Sequence, residues 1–141
     1  MALPLAVVEG KSWMASKRLL VIDDEQEICD LIRDVAEGEG FEVYSTVSPV
    51  EFKTAYKSFK PTLVILDLVM PETDGIECLR YLAGLECTAP ILVMSGYSGK
   101  LLESARSLGD AFGLPSVQSL EKPLRVKLLR AALAASQGEA S

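Results

Sequence analysis

Leu63-Val64-Ile65-Leu66-Asp67 is a short apolar run that ends on an acid, and the same pattern recurs along the chain. Leu19-Leu20-Val21-Ile22 runs into Asp23-Asp24, and Ile91-Leu92-Val93-Met94 runs into Ser95. Four apolar residues without polar alternation suit a parallel strand buried on both faces. Val117 to Leu120 is a weaker run that leads through Glu121 into Lys122. Phe41, Val43 and Ser45 alternate with Glu42 and Tyr44, as expected of an edge strand.

Helical patterns fill the gaps. Ile28, Leu31, Ile32, Val35 and Ala36 share one helical face, with Asp24 and Glu27 at capping-box spacing ahead of them and Gly38 and Gly40 behind. Ser48-Pro49 reads as an N-cap and N1 proline for a helix lined by Phe52, Ala55, Tyr56 and Phe59, which Pro61 ends. Ile76, Leu79, Leu82 and Ala83 mark a third helix, and Leu101, Leu102, Ala105 and Leu108 a fourth. Pro123 is expected to open the last helix, with Leu128, Leu129, Ala132 and Leu133 inward. Five strands alternating with five helices imply an α/β fold with a parallel sheet. Right-handed crossovers place helices on both faces, and a doubly wound sheet in the order 2-1-3-4-5 is the simplest product.

The chain has 141 residues, 49% of them hydrophobic, enough for one domain with a real core. Residues 1–16 read as an N-terminal tail, 17–136 as the domain and 137–141 as a C-terminal tail. Met14-Ala15-Ser16-Lys17 resembles a second start. A net charge of −6 argues against direct nucleic-acid binding. No apolar run reaches membrane-span length, and Leu3 to Val8 makes a poor signal peptide, so a cytoplasmic location is expected. Cys29, Cys78 and Cys87 are odd in number and form no CxxC, so they are read as reduced core residues. The absence of histidine excludes Ser-His and Cys-His catalysis and a phosphohistidine on this chain.

The chemistry lies at the strand ends. Ligands of an open α/β sheet bind outside the carboxyl ends of its strands, at the topological switch point. In the 2-1-3-4-5 order strands one and three are neighbours there, so Asp23, Asp24 and Asp67 should meet. Three carboxylates in one crevice repel, and at least one should resist ionisation unless a cation joins them. An all-oxygen donor set suits Mg²⁺ or Mn²⁺. Lys122 adds a positive charge and Ser95 a hydroxyl donor. Such a group can bind the oxygens of a phosphoryl group, and a carboxylate can act as nucleophile to give an aspartyl phosphate. Each residue alone also fits a cap, a turn or a solvated loop; the joint order DD, D, S, K does not.

With these residues in place, the sequence resembles the receiver domains of two-component response regulators, which are flavodoxin-like (βα)5 folds. The resemblance covers about residues 17 to 136. It rests on Asp67-Leu68-Val69-Met70-Pro71-Glu72-Thr73-Asp74-Gly75, similar to the family's D-x-x-M-P-x-x-D-G loop, and on Val21-Ile22-Asp23-Asp24, Ser95-Gly96 and Lys122-Pro123. It implies that Asp67 is the phosphoacceptor, taking its phosphoryl group from a sensor histidine kinase or phosphotransfer protein. It implies Mg²⁺ held directly by Asp24, Asp67 and the Val69 backbone carbonyl, with Asp23 acting mostly through water. Ser95 and Lys122 would hold the phosphoryl group, and the Lys122-Pro123 bond would be cis. Gly96 would leave room for the donor, and Gly75 would turn the backbone freely before the third helix. Signal would pass to an output protein or domain; the chain itself is read as no enzyme beyond self-phosphorylation and self-dephosphorylation, and as either a stand-alone regulator or part of a longer protein.

The sequence also departs from the family. The position three before the lysine, aromatic in many receivers, is Ser119, while Tyr97 lies two residues after Ser95. Ser95, Tyr97 and Ser119 are therefore the candidate switch positions. Gly113-Leu114 and Ser119 to Leu124 are similar to receivers fused to EAL-type cyclic-di-GMP phosphodiesterases. Neither Val69 nor Tyr97 offers a carboxylate or amide to orient a hydrolytic water, so slow self-dephosphorylation is expected. Arg125, Lys127 and Arg130 on the last helix suggest a homodimer or a solvated face. A phosphohydrolase with an aspartyl-phosphate intermediate is the main alternative, but its usual second acid two residues on is Val69 here. A docking-only pseudo-receiver is the other, at odds with an intact acid, lysine and serine set. A dinucleotide-binding domain lacks its GxGxxG after strand one.

Overall fold

A computed structural model describes residues 17–70, 75–96, 99–114 and 116–137, with only the backbone of 99–102. The elements are β1 (Lys17–Ile22), α1 (Gln26–Gly38), β2 (Phe41–Thr46), α2 (Pro49–Phe59), β3 (Leu63–Asp67), α3 (Gly75–Gly84), β4 (Ile91–Ser95), α4 (Gly99–Ala111), β5 (Val117–Glu121) and α5 (Val126–Ser136). All strand pairs are parallel, and the sheet order is β2-β1-β3-β4-β5.

The apolar runs divide their side chains between two layers. Leu20, Ile22, Val64, Leu66, Ile91 and Val93 pack with Phe52 and Ala55 of α2, Cys78, Leu79 and Leu82 of α3 and Ala105 of α4. Leu19, Val21, Leu63, Ile65, Leu92 and Met94 pack with Cys29, Ile32, Val35 and Ala36 of α1 and Leu129 and Leu133 of α5. The period-2 alternation of each strand therefore sorts its residues between helices on opposite faces. Asp23 and Asp67 continue the alternation of Leu19-Val21 and Leu63-Ile65, on the α1 and α5 side.

Helix punctuation follows the sequence in part. The Ser48 side chain accepts a hydrogen bond from the Glu51 N–H at 3.2 Å, with Pro49 first in α2. Gly40 takes a positive φ of 92° after α1, where glycine is favoured. The expected Asp24–Glu27 capping box does not form: the N-cap is Glu25, and it makes no side-chain cap hydrogen bond. Asp23 organises this turn instead, accepting the Glu25 N–H on Oδ1 at 2.8 Å. Cys29, absent from the expected helix face, is fully buried.

At the other end, α5 begins at Val126, not at Pro123, because Leu124 packs on the sheet-side cluster and Arg125 is extended (φ −108°, ψ 127°). This phase buries Leu129 and Leu133 and leaves Leu128, expected inward, 56% exposed. The Lys122-Pro123 peptide is cis. All three cysteines are buried and free. Among the described residues no helix is long and apolar enough to cross a membrane.

Candidate phosphoryl-acceptor site

Pairing of β1 with β3 sets Ile22 opposite Leu66, so Asp23, the residue that follows β1, and Asp67, the last of β3, leave the sheet side by side. Pairing of β4 with β5 sets Ser95 opposite Glu121, and the Lys122 N–H donates to the Ser95 carbonyl at 3.1 Å. Sheet register thus brings Asp23, Asp67, Ser95 and Lys122 to one edge. Asp23, Asp67 and Ser95 are buried, whereas Asp24 is exposed. Oxygens of Asp23, Asp24 and Asp67 all lie within 4.8 Å of one another. Asp24, Glu25, Asp67, Val69, Gly96 and Lys122 line a cleft of about 270 Å³.

Lys122 Nζ is the hub. It lies 2.9 Å from Asp23 Oδ2, 3.2 Å from Asp67 Oδ2 and 3.2 Å from Glu25 Oε1. Asp67 Oδ1 accepts the Val69 N–H at 3.1 Å. Burial pushes the Asp67 carboxyl up to about 6, and the Asp23 charge adds to this against the Val69 N–H and Lys122. Burial likewise raises Asp23, against its bonds to Lys122 and the Glu25 N–H. Burial alone would depress Lys122, but the bond to Asp23 and the surrounding carboxylates hold it above its ordinary value. The expected resistance to ionisation therefore falls on the two buried acids.

Three carboxylates share one ammonium, and the exposed Asp24 lies beside two of them, so acids outnumber bases at the site. Asp23 Oδ2 is fully buried, and its charge partner is Lys122 Nζ at 2.9 Å. A cluster of three carboxylates whose donors are all oxygens, with one ammonium beside it, fits a hard divalent cation.

The sequence reading found Asp23, Asp24, Asp67, Ser95 and Lys122, and these five gather at the one edge. Val69 is there too, its side chain 37% exposed. Ser119 sits on β5 opposite Val93, one strand beyond Ser95. Tyr97 and Pro71 to Asp74 of the family-like loop lie outside the described residues. Glu25 was missed; its only signal is an acid directly after the Asp23-Asp24 pair. Cys29, read as a reduced core residue, is buried beneath the site, where its thiol donates to the Asp23 carbonyl at 3.6 Å and burial pushes it up to about 11. Gly75 was assigned the wrong reason. It has no positive φ; a Cβ there would run into the Asp67 carbonyl oxygen and come within 2.6 Å of Leu68 Cα.

A doubly wound sheet thus gathers acids, a lysine and a hydroxyl at its carboxyl edge. The model of the response regulator receiver domain matches residues 19–134, and the chain belongs to that family. A response regulator from Colwellia psychrerythraea has a crystal structure similar to it, with a TM-score of 0.75 and 30% identity, over 86% of this chain and 97% of that one. The alkaline phosphatase synthesis transcriptional regulatory protein PhoP of Bacillus subtilis is 32% identical over 80 residues, 57% of this chain and 33% of PhoP. Sporulation initiation phosphotransferase F of Bacillus subtilis is 25% identical over 97 residues, 68% of this chain and 78% of that protein. The match thus spans about a third of the length of PhoP and a quarter-identical majority of the phosphotransferase. The protein is a receiver domain of two-component phosphorelay signalling.

Proposed function

We propose that Asp67 is the phosphoacceptor, that Asp23, Asp24, Asp67 and the Val69 carbonyl hold Mg²⁺, and that Lys122 and Ser95 hold the transferred group. The observation that carries this reading is Lys122 Nζ bridging the buried carboxylates of Asp23 and Asp67 at the mouth of the cleft. When bound, the cation would supply positive charge to offset the negative charge on the phosphoryl oxygens. Asp67 is the one acid that ends a central strand and also accepts a backbone N–H, which fixes its direction. Its carboxylate oxygen bonds to phosphorus as the P–N bond of a phosphohistidine breaks, and the electron pair stays on the departing imidazole nitrogen. Lys122 then exchanges a carboxylate for phosphoryl oxygens. Ser95 donates its hydroxyl and links the phosphoryl group to the end of β4.

The donor is a sensor histidine kinase or a phosphotransfer protein. The readout is an output protein or domain, with Ser95, Tyr97 and Ser119 as the switch positions. The functional unit is 17–136, flanked by tails at 1–16 and 137–141, in the cytoplasm. Loss of a carboxylate charge and gain of roughly −1.5 to −2 on phosphorylation changes the surface that the partner reads. Incubation with acetyl phosphate and Mg²⁺, followed by intact mass, tests the assignment. Wild type should gain one phosphoryl mass, and Asp67→Ala or a chelated sample none. Equal gain by Asp67→Ala would move the acceptor elsewhere.

A further inference from the structure

Glu25 places its side chain at the site without a capping role in the fold. Its backbone does the structural work: the N–H donates to Asp23 Oδ1 at 2.8 Å, and the carbonyl accepts from Ile28 and Cys29 at 3.1 and 3.2 Å. Its side chain makes no cap hydrogen bond. Among the described residues the partner of its carboxylate is Lys122, 97 positions away in sequence. The side chain is 60% exposed, against 15% for Lys122 and 3% for Asp67, so it stands on the solvent side of the ammonium. It also lines the cleft. The carboxylate thus flanks the cleft that also holds Asp67.

The geometry points to Glu25 as a specificity-determining residue that favours phosphoryl donors whose leaving group carries a positive charge, such as protonated N-phosphoryl compounds, over fully anionic acyl phosphates. The inference rests on Asp67 being the acceptor. In phosphoramidate the leaving nitrogen is an ammonium, so the Glu25 charge attracts the end of the donor that points out of the cleft. The Asp67 oxygen–phosphorus bond forms, the P–N bond breaks, and ammonia departs with the electron pair. In acetyl phosphate the P–O bond breaks and acetate departs with the pair, and the donor is a dianion that the same carboxylate repels. A protonated phosphohistidine belongs to the first class. Glu25 also holds Lys122, so its displacement frees the ammonium for the incoming phosphoryl oxygens.

The test compares second-order phosphorylation rates with phosphoramidate and acetyl phosphate at saturating Mg²⁺ and low salt, for wild type, Glu25→Gln and Glu25→Lys. The ratio of acetyl phosphate to phosphoramidate rates should rise between about threefold and tenfold in Glu25→Gln, the effect of one unit charge roughly 6 Å away in a mostly solvated site. It should rise further in Glu25→Lys, and the differences should shrink as salt screens them. A merely structural role would slow or speed both donors together. An unchanged ratio in Glu25→Gln, or a ratio in Glu25→Lys no higher than in Glu25→Gln, overturns the inference while leaving Asp67 as acceptor. If wild type takes a phosphoryl group from neither donor, both readings fall.

Discussion

Replacing Asp67 by Asn should stabilise the metal-free protein near neutral pH, and the size of the gain follows from its burial. Asp67 is 2% exposed, and its carboxyl is pushed from 3.8 up to about 6. The folded state therefore holds this proton more tightly than the unfolded chain. Stability contributed by the protonated acid is present below the unfolded value and is lost as pH rises through the folded one. The interval from 3.8 to about 6, at about 1.4 kcal/mol for each tenfold change in the ionisation equilibrium, corresponds to a cost of about 3 kcal/mol above that range. This is already net of the attraction to Lys122, because the Lys122 charge is among the causes that set the value. Asn cannot ionise, yet its Oδ1 can still accept the Val69 N–H. Urea or thermal unfolding of both proteins in chelator, at about pH 8 and about pH 4.5, measures the difference. The variant should exceed wild type by roughly 1–3 kcal/mol at the higher pH and by much less at the lower. Adding Mg²⁺ at about pH 8 should stabilise wild type more than the variant, since a cation held by the proposed carboxylates would bind only the folded state. A variant no more stable than wild type at about pH 8, or a gain independent of pH, would refute the reasoning.

Other outcomes are equally direct. Gly75→Ala should destabilise by about 1–3 kcal/mol or more, because the added Cβ meets backbone that cannot swing aside; Gly84→Ala, with open space around it, should be neutral or slightly stabilising in the same denaturation assay. Leu129→Ala should cost about 2–5 kcal/mol, and the exposed neighbour Leu128→Ala no more than about 0.5 kcal/mol, so equal losses would contradict the phase of α5. Val69→Asn places an amide at the cleft and should shorten the acyl-phosphate lifetime, followed as loss of phosphoryl mass; an unchanged lifetime would separate Val69 from water orientation.

The strands were legible because burial on both faces leaves little but Leu, Ile, Val and Met in β1, β3 and β4, and the breaks at Gly38, Ser48-Pro49 and Pro61 are chemically distinct. The site was legible because Asp23, Asp67, Ser95 and Lys122 sit where apolar runs stop. What was not legible depends on angles and reach. Asp23 and Asp24 are equivalent in a sequence, and only continued strand alternation buries the first and exposes the second. The extended Arg125 before α5 goes with a helix phase that turns Leu128 to solvent, a shift that an i, i+4 pattern shared by Leu128-Ala132 and Leu129-Leu133 does not decide. Glu25 meets Lys122 only after the chain has crossed four strands. Gly75 looked like a hinge because glycine permits turning, whereas packing demands it for lack of room.

That lack of room distributes compliance around the phosphoryl pocket. The first residue of α3 is pressed against the end of β3, with the Gly75 N–H tied to the Leu68 carbonyl at 2.9 Å. The backbone of Asp67 thus behaves as an anvil, unable to recoil toward α3 when a bulky anion is attached to its side chain. Displacement is then expected on the opposite wall, in the side chains of Lys122, Glu25 and Ser95, which would give the module a directional response from one stiff joint.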